Sequence, residues 1–161
     1  MTRLMIPVPL RWGDLDAYGH VNNVAVMQLL EEARIAAFWR HPAGADPAAA
    51  PAAVLDAGPG AGTHTLVARQ EVEYLLPLTY RRDPVTVEMW LGHLGGASID
   101  VCYQLTATVD GVRSAFVQAT TTLVLIDAST GRPRRITPEE REAWEVYRDT
   151  PVVLRRRGAP A

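Results

Sequence analysis

Ala97-Ser98-Ile99-Asp100-Val101-Cys102-Tyr103-Gln104-Leu105-Thr106-Ala107-Thr108-Val109-Asp110-Gly111 alternates with a period of two. Ile99, Val101, Tyr103, Leu105, Ala107 and Val109 fall on one side. Asp100, Cys102, Gln104, Thr106 and Thr108 fall on the other. That is the period of a half-buried strand. Asp110-Gly111 then reads as a two-residue hairpin turn, because both central positions of such a turn favour residues that tolerate positive φ. The reading extends in both directions. Downstream, residues 112–126 form a long last strand. Upstream, Gly95-Gly96 is a second hairpin signal, and residues 84–94 place Val85, Val87, Met89 and Leu91 on one face. Residues 64–75 make a further strand, and the stretch from Pro77 to Asp83 separates it from the next. Four consecutive strands therefore form a meander.

The N-terminal part is different. Residues 4–12 read as a strand that Pro7 and Pro9 confine to an edge or to partial pairing, since proline has no N–H to donate. Residues 13–23 are rich in turn formers. A helix is expected from Asn23 to Arg40, capped by Asn22 or Asn23. Val26, Leu29, Leu30, Ala33, Ala36 and Ala37 make its apolar face, Gln28, Glu31, Glu32 and Arg34 its polar side, and Pro42 its stop. Residues 42–62 contain nine Ala, four Pro and four Gly and read as a loop. Gly58-Pro59-Gly60-Ala61-Gly62 within it lacks the Gly-Lys-Ser/Thr of a phosphate loop. Thr137-Pro138-Glu139-Glu140 starts a short helix with a capping box. The expected class is α+β, with a five-stranded antiparallel sheet wrapped around one long helix. One helix cannot cover such a sheet on both faces, so an edge or face is expected to meet a second subunit. Residues 1–148 read as one domain and 149–161 as a flexible basic tail.

Composition narrows the function classes. The chain has 161 residues, sixteen Lys+Arg against eighteen Asp+Glu, and a net charge of -2. No basic excess favours nucleic acid or a membrane surface. A single cysteine, Cys102, excludes an intramolecular disulfide and any multi-cysteine zinc site. No apolar run reaches the length of a membrane span, and residues 1–12 hold no long apolar region or small-residue cleavage site, so no signal peptide is expected. A cytoplasmic protein is expected.

Chemistry concentrates in Arg11-Trp12-Gly13-Asp14-Leu15-Asp16-Ala17-Tyr18-Gly19-His20-Val21-Asn22-Asn23. Two carboxylates, an imidazole and two amides stand just before a helix N-terminus. Such a terminus offers unpaired N–H groups and partial positive charge, which suits an oxyanion. A carboxylate held nearby can attack a carbonyl or activate a water. Gly19 lets the backbone approach a ligand. The pattern points to hydrolysis of a polarised carbonyl. A plainer reading makes Asp14 and Asp16 turn residues. A calcium loop is disfavoured because Tyr18 and Ala25 replace ligand positions. Asp16 and His20 lack a third metal ligand.

The string Gly-Asp-Leu-Asp-Ala-Tyr-Gly-His-Val-Asn-Asn, followed by Glu31-Glu32-Ala33-Arg34, resembles the 4-hydroxybenzoyl-CoA thioesterase-type branch of the hotdog-fold acyl-CoA thioesterases. Tyr74-Leu75-Leu76-Pro77-Leu78, Ser98 and Gly131-Arg132-Pro133-Arg134-Arg135-Ile136 extend the likeness over about residues 5–145. The resemblance implies a hotdog fold, a homodimer or homotetramer with sites at a subunit interface, an acyl-CoA substrate and no cofactor. It makes Asp16 the catalytic carboxylate, as nucleophile through a mixed anhydride or as general base toward water. It places the oxyanion donor at Asn23 and gives His20 and Asn22 positioning roles, with Gly19, Val21 and Ser98 near substrate. Val26 departs from the aromatic residue often found there, which bears on the shape of the acyl pocket. Arg81, Arg82, Arg132, Arg134 and Arg135 are candidates for the CoA phosphates. Two other classes remain open: a hotdog hydratase or dehydratase, and a non-catalytic acyl-CoA-binding module. Glu31 is a rival carboxylate, weighed against an ion pair with Arg34 at i,i+3 spacing.

Overall fold

The computed structural model describes residues 2–40, 52–56 and 58–155. The elements run β1 (Leu4–Val8), a single turn of 3-10 helix (Trp12–Asp14), α1 (Asn23–Phe38), β2 (Thr63–Tyr74), β3 (Val85–Leu94), β4 (Ser98–Val109), β5 (Val112–Asp127) and α2 (Pro138–Glu145). All five strands join one antiparallel sheet in the order β1-β3-β4-β5-β2. The alternation read from sequence sets the faces. Val85, Val87, Met89, Leu91, Ile99, Val101, Tyr103 and Leu105 are all buried in one core with Val26, Leu29, Leu30, Ala33 and Ala37 of α1. Full burial of a side chain such as Leu30 contributes roughly 1.5–3 kcal/mol. The β4–β5 hairpin turns at Asp110 (φ 49°) and Gly111 (φ 77°), as the Asp-Gly pair requires.

Three boundaries differ from expectation. β1 ends at Val8, ahead of Pro9, and the chain then winds into the 3-10 turn rather than continuing as a strand to residue 12. α1 ends at Phe38 rather than Arg40. There the chain pairs with Leu55, whose N–H donates to Phe38 O at 3.0 Å and whose carbonyl accepts from Arg40 N–H at 2.8 Å. Pro42 lies outside the described residues, with most of the Ala/Pro/Gly-rich loop. The third difference is at the C-terminus. Of the expected flexible tail, residues 156–161 lie outside the described residues, and residues 149–155 run along the sheet with Asp149, Val152 and Leu154 half-buried and Thr150, Pro151, Val153 and Arg155 exposed. Leu91 N–H donates to Tyr147 O and its carbonyl accepts from Asp149 N–H, so this segment extends the β3 edge where β1 stops. It then crosses the outer face of the sheet. Trp90 Nε1 donates to Thr150 O at 2.8 Å, Val152 N–H approaches Cys102 Sγ at 3.5 Å, and Arg155 pairs with Glu73. Gly92 permits the crossing: a Cβ there would lie 2.8 Å from Cys102 Sγ and 3.3 Å from Pro151.

α2 carries the expected cap. Thr137 accepts from Glu140 N–H, Glu140 accepts from Thr137 N–H, and Pro138 opens the helix. Trp144 closes the far end of the core, edge-on to Phe38 and donating to Ala52 O.

Candidate active site

The loop before α1 is shaped by two carboxylates with different jobs. Asp14 is buried and accepts Arg11 N–H at 2.7 Å and the Arg11 guanidinium at 2.9 and 3.1 Å. It fixes the entrance to the loop. Asp16, half-buried, closes a tight turn. Its Oδ1 accepts Tyr18 N–H at 2.8 Å and His20 N–H at 3.0 Å, and its own N–H donates to His20 O at 2.8 Å. Gly19 takes φ +78° within this turn, a conformation that strains any other L-residue except asparagine and aspartate. One carboxylate oxygen is thus anchored by backbone donors, which orients the other.

Antiparallel bridges Leu15–Val21 and His20–Thr79 tie the loop to itself and to the β2–β3 connection, and Val21 N–H donates to Leu78 O at 2.7 Å. Asn22 then starts α1: its side chain accepts Val24 N–H at 2.8 Å. Asn23 and Ala25 begin the helix without intrahelical acceptors for their N–H groups. The helix dipole adds partial positive charge at the same place.

A cavity of about 360 Å³ brings these parts together. Asp16, His20, Val21 and Asn23 form one side of it, and Val26, Val117 and the stretch Tyr74–Leu78 form the other. Tyr74 Oη donates to Asn23 O at 3.4 Å across the mouth. Gly19 and Asn22 frame the loop. In the same protomer, Arg81, Arg82, Ser98, Arg132, Arg134 and Arg135 lie outside this cavity. Ser98 opens β4 beside Gly95. Arg134 is committed to Glu140, Thr63 and Arg135 O. Sequence reasoning does not assign the wall from Tyr74 to Leu78 to the site. Its apolar run ending in Pro77 is a signal only once β2 is known to end against the helix N-terminus. A larger cleft of about 730 Å³ lies elsewhere, between the C-terminal segment and β2, and is lined by Arg69, Glu71, Glu73 and Arg155. It has neither a helix terminus nor Asp16.

The residues from 10 to 144 match the family model of the thioesterase-like superfamily. The chain belongs to that superfamily. Its strand order and its single long helix are those of the hotdog fold. Among solved structures, this thioesterase-like chain is similar to PA2801, a candidate thioesterase from Pseudomonas aeruginosa, at 28% identity and a TM-score of 0.68, covering 88% of this chain and 98% of that one. It is also similar to a thioesterase from Thermus thermophilus, solved with coenzyme A and zinc, at 28% identity and a TM-score of 0.65, covering 92% and 96%. The dynemicin thioesterase shares the fold at 18% identity and a TM-score of 0.69, covering 95% and 100%. No curated protein sequence matches.

Glu31, the rival carboxylate, is exposed and stands 3.7 Å from Arg34. Arg34 itself is buried, with its guanidinium donating to Tyr103 Oη at 3.3 Å. The pair is therefore anchored in the core rather than solvated at both ends. Burial holds the Tyr103 phenol above its ordinary value, and the nearby Arg34 charge works against that rise. Among the described residues no helix is long and apolar enough to cross a membrane.

Proposed function

We propose that the protein hydrolyses an acyl-CoA thioester to the free acid and CoA. Family membership supports thioester hydrolysis in general. The observation that carries the finer reading is that Asp16 and the first residue of α1 line one cavity. A thioester carbonyl oxygen directed at the N–H groups of Asn23 and Ala25 gains stabilisation as it becomes an oxyanion. The free oxygen of Asp16 then acts in one of two ways. As general base it takes a proton from water, the water oxygen bonds to the carbonyl carbon, the C–S bond breaks and the thiolate takes up the proton. As nucleophile it bonds to the carbonyl carbon itself, expels the thiolate and leaves a mixed anhydride for water to open. His20, Val21, Gly19 and Asn22 hold the loop and the substrate in register. The coenzyme A bound by the Thermus thermophilus relative supports CoA as the carrier.

The site is proposed to be completed by a second copy of the chain. β2 is a sheet edge of twelve residues with no proline, and it exposes Leu66, Val67 and Tyr74. The other edge, β1, has five residues and carries Pro7. Only the β2 edge can pair freely with another strand. A homodimer fits these features.

The test is release of free thiol from a panel of acyl-CoA thioesters by wild type and by Asp16→Asn. Turnover is expected in the wild type and a loss of about 10²-fold or more in the variant. Wild-type turnover in Asp16→Asn would remove Asp16 from the role. Consumption of an enoyl-CoA without thiol release would favour hydration instead.

A further inference from the structure

We propose that the acyl group accepted by the Asp16 cavity is compact, apolar and uncharged, and that Val117 and Leu78 set its length. This rests on the hydrolase reading above and names the class of acyl group that the reading leaves open.

The polar groups of the cavity gather at one end. Asp16 and His20 stand on the loop, Asn23 opens α1, and Tyr74 Oη donates its one proton to Asn23 O at 3.4 Å. Every other side chain that lines the cavity is hydrocarbon. The backbone of the far wall is already bonded. Leu75 and Leu76 N–H donate to Phe116 O at 2.8 and 3.3 Å, and Leu78 O accepts Val21 N–H at 2.7 Å. Pro77 has no N–H to offer. A thioester carbonyl at the helix start therefore turns its acyl group toward a wall without free hydrogen-bonding groups. A hydroxyl or amide on that acyl group would lose its water without compensation, and an ionised carboxylate would lose more. A carboxylate would also meet the like charge of Asp16.

Exposure separates the mouth from the floor. Tyr74 and Leu76 are about half exposed and stand at the mouth. Val117 and Leu78 are only 2% and 5% exposed yet touch the cavity, so they close its inner end together with Val26. Beside Val117, in register on β4, is the fully buried Leu105. Past Val26 on α1 come Leu29 and Leu30, both in the core. The bonds to Phe116 O and from Val21 N–H tie the wall to β5 and to the Asp16 loop, and a close-packed wall of this kind does not retreat to admit a longer chain. Liquid water takes about 30 Å³ per molecule, and a methylene is of similar size, so a cavity of about 360 Å³ holds roughly a dozen such groups. The thioester group and a water claim part of that space. A short aliphatic acyl group fits the remainder, and a long-chain one does not.

Free-thiol release by the full chain from acetyl-, butyryl-, hexanoyl-, succinyl- and palmitoyl-CoA tests the proposal. Butyryl-CoA should exceed succinyl-CoA in kcat/KM by about 10²-fold or more, the scale on which an apolar pocket rejects a polar group. Palmitoyl-CoA should fall below butyryl-CoA by about tenfold or more. Val117→Ala deepens the floor and should raise the ratio of hexanoyl-CoA to acetyl-CoA turnover by about tenfold, and Leu78→Ala should act in the same direction. Val117→Leu should lower that ratio. A ratio within one variant does not depend on how much of the protein folds, so a merely structural role for Val117 would not move it. Succinyl- or palmitoyl-CoA cleaved as well as butyryl-CoA, or a ratio that stays fixed in both Val117 variants, would overturn the proposal. Release of thiol from none of the five would overturn the hydrolase reading instead. Calorimetric affinities of the same acyl-CoAs then decide the pocket: butyryl-CoA bound more tightly than succinyl- and palmitoyl-CoA retains it, and equal affinities or no binding overturn it.

Discussion

At the scale of single residues, the loop around Asp16 is defined by what each side chain does to the backbone. Asp16 anchors one oxygen on the N–H groups of Tyr18 and His20, and that turn exists because Gly19 adopts φ +78°. Gly19→Ala should therefore act twice. It places a Cβ in a left-handed conformation, which costs about 1–2 kcal/mol. It also loosens the donors that orient the carboxylate. Thermal unfolding should show a lower Tm, and kcat should fall by more than the loss of folded protein accounts for; kcat that merely tracks the folded fraction would mean that the turn does not position Asp16. Both Asp14 and Asp16 are legible in sequence as turn-forming acids beside a helix start. The motif already leaves Asp14 structural, bonding the loop backbone, and turns the chemistry to Asp16; the physical basis of that division is not legible, because it depends on burial: Asp14 is enclosed with Arg11, and Asp16 faces a cavity. Arg34 shows the same limit. Its spacing from Glu31 predicts the pair, but only the packing of α1 on β4 shows that its guanidinium reaches Tyr103.

At the scale of elements, the strands with a period of two, β3 and β4, were the most legible, because one face is buried and register is then strongly specified. The far wall of the cavity was less so. The His20–Thr79 bridge that brings Leu78 beside Val21 joins residues almost sixty positions apart, and no local pattern encodes it. The C-terminal segment escaped for a related reason: its partner is the outer face of the sheet, where Trp90 and Cys102 are buried among polar neighbours. The start of α2 was legible to the residue, since capping is local chemistry. Its Glu140 is a good place to test electrostatics. Burial pushes its carboxyl up, but the Arg134 guanidinium and Thr137 N–H outweigh burial, so the folded value is lowered. A lowered carboxylate value contributes stability above the unfolded value, and that contribution is lost as pH falls through the folded one. Glu140→Gln should therefore destabilise the protein at neutral pH by about 1–2 kcal/mol. That is the lower part of the range for charge-assisted bonds, because Arg134 retains contact with solvent. Denaturant titrations at descending pH should show wild type and variant converging in acid. A gap that stays constant with pH would mean that packing, not charge, carries the effect.

At the scale of the whole molecule, the sheet is finished differently on its two faces and at its two edges. The outer face is crossed by residues 150–155, which leave Cys102 only 1% exposed. Burial raises its thiol above the ordinary value, so thiolate is scarce and inaccessible. Native protein should react slowly with a disulfide reagent, and a chain ending at Asp149 should react markedly faster. Equal rates would show that the crossing segment does not protect the thiol. The edges differ as strongly. β1 is short and carries proline, and residues 147–149 extend its side of β3. β2 is long and unblocked, with Leu66 and Val67 about half exposed, and it ends at Tyr74 on the wall of the Asp16 cavity. A monomer that kept this edge bare would expose a template for uncontrolled strand addition. The proposed pairing with a second β2 would remove that hazard and would bring another protomer beside Tyr74 on the cavity wall. Like charges placed opposite one another across such a pairing oppose it. The double variant Leu66→Lys/Val67→Lys should therefore sediment as a monomer at micromolar concentration, while the wild type sediments as at least a dimer. Its circular dichroism should remain native, because both side chains lie outside the core. If the partner completes the site, thioester hydrolysis should fall with the dimer, and raising protein concentration should restore part of both together. Full activity in a monomeric, folded variant would mean that one chain holds the entire site.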